Sequence, residues 1–90
     1  MMNNYTMKRC AAAAIREVLK YEGIELIYNN VYKSGARTIK VYENSLKRSD
    51  VNVPALKERI ENVAEAFNFD VKFRTTSGRP WGARAFIIKL

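Results

Sequence analysis

The residues best suited to chemistry in this 90-residue chain are basic, and their spacing points to holding an anion. Arg37 and Arg84 each end the same tripeptide, Gly35-Ala36-Arg37 and Gly82-Ala83-Arg84. A guanidinium fork matches the paired oxygens of a phosphate or a carboxylate. With Lys33 and Arg79, these arginines would place four positive charges at two hairpins. They could straddle a polynucleotide backbone or an acidic groove. Equally, each arginine could cap its strand or pair with a local carboxylate.

A second group lies on alternating positions of expected strands: Lys40, Lys72, Arg74 and Lys89, with Tyr42 beside them. Alternation sends such residues to one face of a sheet. A basic sheet face bearing an aromatic ring can bind single strands through phosphate contacts and stacking. A solvated basic face, or a sheet-to-sheet homodimer through Ile27, Tyr42 and Ile87, explains the same residues. The stretch Thr75-Thr76-Ser77-Gly78-Arg79-Pro80-Trp81-Gly82 adds hydroxyls, glycine backbone, an arginine and the only tryptophan. Exposed, Trp81 would be a stacking platform or a protein hot spot; folded back, it would cover one end of the core. The stretch is not a phosphate-binding loop, because the Lys-Ser/Thr ending and a following helix are both missing.

Catalytic chemistry has little to build on. The chain has no histidine, which removes the commonest general base and the commonest metal ligand together. Glu58, Glu61 and Glu65 fall at i, i+3 and i+7 on an expected helix and read as a surface row beside Lys57 and Arg59, not as a metal site. Cys10, the single cysteine, sits within an apolar stripe as a small buried hydrophobe and cannot form an internal disulfide. The expectation is a binding protein, not an enzyme, with no metal and no cofactor.

The elements that must position these residues follow from periodicity. Met7, Cys10, Ala11, Ala14, Ile15, Val18 and Leu19 make a helical stripe, capped by Asn4 or Thr6 and closed by Gly23. Lys8, Arg9, Arg16 and Lys20 fall on its polar side. Ile24–Tyr32 and Arg37–Glu43 read as a hairpin about the Lys33-Ser34-Gly35 turn. The polar stretch NSLKRSD then links to a second helix, with Pro54 in its first turn and Leu56, Ile60, Val63, Ala64 and Phe67 on its apolar side. Phe69, Val71 and Phe73 alternate as a strand, and ARAFIIKL closes the chain as another.

The halves align at a shift of forty-five positions, which sets Ile15 on Ile60 and Gly23 on Asn68. After the hairpin loop the shift is forty-seven, which sets Arg37 on Arg84. The expectation is a single α+β domain over residues 1–90, a tandem αββ-αββ duplication of about 5–43 and 52–90. Its four-stranded antiparallel sheet would carry both helices on one face. The other face would present Glu25, Ile27, Asn29, Thr38, Lys40, Tyr42, Asp70, Lys72, Arg74, Ile87 and Lys89.

Composition bounds the partner. Sixteen Lys and Arg against nine Asp and Glu give a net charge of +7, which favours an anionic partner. At 48% apolar residues the chain should fold, and no apolar run approaches the roughly 20 residues of a membrane span. The N-terminal alanines are soon followed by Arg16 and Glu17 and make no signal-peptide core, so the expected compartment is cytoplasmic.

The second half, IENVAEAFNFDVKFRTTSGRPWGARAFIIK, resembles the small αββ modules associated with large polyvalent proteins of phages and mobile elements. The likeness spans about a third of the chain. It implies a phage or mobile-element protein in a host cytoplasm, where small domains bind nucleic acid or block host defence complexes. It carries over no catalytic residue. Two functions are therefore expected. The first is a basic nucleic-acid-binding module, for DNA or RNA. The alternative is an inhibitor or adaptor docking on an acidic protein surface, such as an anti-CRISPR or other anti-defence protein.

Overall fold

The alanine-rich N-terminal stripe forms helix α1 over Asn4–Tyr21 in a computed structural model that describes residues 4–26, 38–48, 50–76 and 85–90. Alanine has the best helix propensity, and Ala11, Ala12, Ile15 and Leu19 turn their side chains fully into the core. The helix closes as its glycine predicts. Gly23 adopts φ 75°; its N–H bonds Lys20 O at 3.0 Å, and that of Ile24 bonds Leu19 O at 2.9 Å. This double closure satisfies two carbonyls that the helix end would otherwise strand.

After α1 come strand β1 (Thr38–Tyr42), a short helix α2 (Glu43–Arg48), helix α3 (Val53–Ala66) and strands β2 (Lys72–Thr76) and β3 (Ala85–Lys89). Asn52 caps α3, its Oδ1 accepting from Ala55 N at 3.1 Å, and Pro54 occupies the first turn. At the other end Asn68 takes φ 64°, with Asn68 N on Glu65 O at 2.8 Å and Phe69 N on Ala64 O at 2.9 Å.

The expected tandem of αββ halves with a four-stranded sheet is corrected by this architecture. Among the described residues there are three helices and one three-stranded antiparallel sheet, ordered β1-β3-β2. The polar stretch read as a link is α2. In its described part, the segment read as a strand from Ile24 forms one isolated bridge, Leu26 to Val41, with a bond from Tyr42 N to Glu25 O at 3.3 Å. A single bridge is not a ladder, and residues 27–37 lie outside the described ones. Strand β2 also begins later than the alternation from Phe69 implies. Phe69 is used in closing α3, and Thr75 and Thr76, read as loop, extend the strand.

One core joins both long helices to one face of the sheet. Ile15 and Leu19 of α1, Leu56 and Ile60 of α3, Ile39 and Val41 of β1, and Phe86 and Ile88 of β3 are all buried in it, with Leu46 of α2 closing one end. Phe73 stacks on Phe86 with ring centres 5.6 Å apart, and the Lys57 ammonium lies over both rings at 5.5 and 5.6 Å. Lys57 thus spends its charge on aromatic faces, covering the edge of the core with its stem.

Candidate nucleic-acid interface

Inward and outward positions alternate along each strand, so burying Ile39, Val41, Phe86 and Ile88 turns their neighbours to the other face. Register fixes how those neighbours meet. Thr38 of β1 pairs with Lys89 of β3, which pairs with Lys72 of β2. In the next outward row Lys40 pairs with Ile87, which pairs with Arg74. Tyr42 begins a third row, opposite Ala85. Five of the residues expected to bind, Lys40, Tyr42, Lys72, Arg74 and Lys89, therefore share one sheet face. Lys72, Arg74 and Lys89 are exposed, and Lys40, Tyr42 and Ile87 are half-buried.

The other five, Lys33, Arg37, Arg79, Trp81 and Arg84, lie outside the described residues. So does Ile27.

The three strands carry charge of one sign, and a carboxylate meets this face only at its β1 edge in the described part, where Glu25 lies beside Tyr42. None of the nine acidic residues stands in β1, β2 or β3; Glu43 directly follows β1 and Asp70 precedes β2 by two residues. Directly opposed side chains are about 5 Å apart at Cβ, and alternate residues along one strand about 7 Å. Lys72, Arg74 and Lys89 thus lie within about one Debye length of one another at physiological salt and their potentials add, while Lys40, two strands from Arg74, stands about 10 Å away and adds less.

Several other described basic residues have partners away from this face. Lys8 lies over the Phe69 ring at 5.6 Å, and Arg9 over Tyr5 at 5.8 Å. Arg59 bonds Glu22, tying α3 to the end of α1. Lys20 pairs with Glu17 at 3.8 Å. Arg16 corrects an expectation. Instead of joining the polar side of α1 it is buried at 7% exposure, and that burial pulls its pKa below the ordinary arginine value.

A cleft of about 410 Å³ opens on the other side of the sheet, between α2, the start of α3 and the inward row of Phe86 and Thr75. Leu46, Val51, Val53 and Phe86 give it an apolar lining. Around them Lys47 and Lys57 are matched by Glu43 and Asp50, so this cleft, unlike the open sheet face, has no net preference for an anion. Sequence reading missed it because it depends on α2, whose six residues are too short to show a helical period.

Nothing among the described residues gathers three or more potential metal-ligating His, Cys, Asp or Glu side chains. Cys10 is half-buried, not sealed in the core. Glu58, Glu61 and Glu65 are exposed as a surface row. No protein family, curated protein or solved structure matches this chain.

Proposed function

We propose that the chain is a nucleic-acid-binding module that uses the open face of its sheet. The observation that carries this is the strand register, which gathers Lys40, Lys72, Arg74 and Lys89 over all three strands with no strand carboxylate among them. Phosphate neutralisation with release of counterions is the largest sequence-independent source of affinity for such a surface. The net charge of +7 adds a steering field over the whole molecule. The mode is binding, not catalysis. In the described part no helix is long and apolar enough to cross a membrane.

The test is fluorescence anisotropy with labelled single- and double-stranded DNA and RNA over a range of salt. Three to four phosphate contacts give a slope of log K against log salt of about −2 to −4. The double variant Lys72→Glu, Arg74→Glu should abolish binding, while Lys20→Glu on α1 should leave it close to wild type. No binding to any of the four probes at low salt would sink the reading. An acidic protein surface would then be the partner to seek for the same face.

A further inference from the structure

The open face is divided by chemistry as well as charged. Lys72, Arg74 and Lys89 are contiguous at the corner formed by β2 and β3: Lys72 and Lys89 are paired across the ladder, and Arg74 is two residues along from Lys72. Tyr42 and Ile87 adjoin this corner, with Ile87 on the central strand directly beside Arg74. Tyr42 pairs with Ala85, two positions from Ile87, so the two are diagonal neighbours across β1 and β3. Diagonal neighbours stand about 7–8 Å apart, within reach of an aromatic ring. Lys40, paired with Ile87, borders this apolar zone on β1.

We propose that the ligand is a single-stranded polynucleotide, its phosphates on the Lys72, Arg74 and Lys89 corner and its bases laid over Tyr42 and Ile87. This rests on reading the sheet face as a nucleic-acid interface. A single strand is itself two-sided, with charged backbone along one edge and unpaired π-faces along the other, and the face has both halves side by side. A duplex keeps its bases stacked inside and offers phosphates and groove edges only. Against a duplex, Tyr42 and Ile87 would lose water with no apolar partner in return. Against splayed bases, the phenol ring supplies stacking and Ile87 a flat aliphatic floor.

Four probes test this on the full chain: short oligouridine, oligodeoxyuridine, the duplex of the latter with oligodeoxyadenosine, and an abasic strand that keeps the backbone but lacks bases. The uridine and deoxyuridine arms show which polynucleotide is held, and either one binding roughly tenfold above duplex and abasic strand supports the proposal. Tyr42→Ala should weaken single-strand binding roughly tenfold with the salt slope unchanged, and Tyr42→Phe should restore it. Arg74→Ala should reduce both affinity and slope, by about one contact. Duplex or abasic strand binding as tightly as the intact single strand overturns the proposal but spares the interface. If none of the four probes binds, both fall.

Discussion

Lys72 and Lys89 stand directly opposite one another across the β2–β3 ladder, on the exposed face of the sheet. Like charges in that relation repel, and a sheet selected for stability alone would place opposite charges there. The arrangement is explained if the pair is completed by an anion from outside. Changing Lys72→Glu converts the repulsion into a cross-strand ion pair. Stability to urea should therefore rise by about 0.2–1 kcal/mol at low salt, with the gain shrinking as salt is added. The same variant should bind polynucleotide more weakly. A variant that is less stable than wild type at low salt would show that the opposed lysines carry no strain.

Much of the candidate face was legible in the sequence, because strand alternation is local: parity alone sets Lys40, Tyr42, Lys72, Arg74, Ile87 and Lys89 on one side, and the register agrees, whereas Asp70, set on the same side, stands before β2. The helix ends were legible for a similar reason, since Gly23 and Asn68 both supply the left-handed residue of a closing motif. What parity cannot do is count strands. Ile24–Tyr32 is rich in β-branched and aromatic residues, yet pairing depends on a partner distant in sequence, and only Leu26 forms a bridge in the described part. Helix α2 was hidden because its one apolar side chain, Leu46, gives no period. Arg16 was misplaced because a charge on a helix is assigned to solvent unless its neighbours in space are known.

The two halves share a core through Ile15 and Ile60, each with no exposed surface. Removing buried branched carbons leaves a cavity, and Ile15→Ala or Ile60→Ala should each cost about 2–5 kcal/mol. A domain of this size has about 5–15 kcal/mol in all. Chemical denaturation should show either variant close to its unfolding threshold. Val63→Ala, at a half-buried position on α3, should be milder than both. Equal losses at positions 60 and 63 would contradict the packing described.

Helix closure makes a sharper prediction about backbone alone. A β-carbon built on Gly23 would meet no atom within 4 Å, so space is not the obstacle to a side chain there. The φ of 75° is. Gly23→Ala should cost about 1–2 kcal/mol, all of it from holding an L-residue in the left-handed region. Asn68→Gly, at φ 64°, should be neutral or slightly stabilising in the same thermal-melt assay. If Gly23→Ala melts with wild type, the closure of α1 does not hold this conformation in solution.

Ser45 carries the last prediction. It lies on α2, only 6% exposed, and its Oγ accepts the backbone N–H of Glu25 at 2.6 Å. The bond fastens the segment after α1 to the short helix that follows β1, next to the place where Tyr42 N donates to Glu25 O. A six-residue helix has no independent stability, so α2 is held by contacts such as this one and the burial of Leu46. Ser45→Ala leaves a part-buried N–H without its acceptor and should cost about 1–3 kcal/mol. The loss should be local first: hydrogen exchange at the Glu25 amide should accelerate in Ser45→Ala while the amides of Ile15 and Ile60 keep their protection relative to global stability. Exchange at Glu25 no faster than in wild type would mean that this bond does not hold α2 in place.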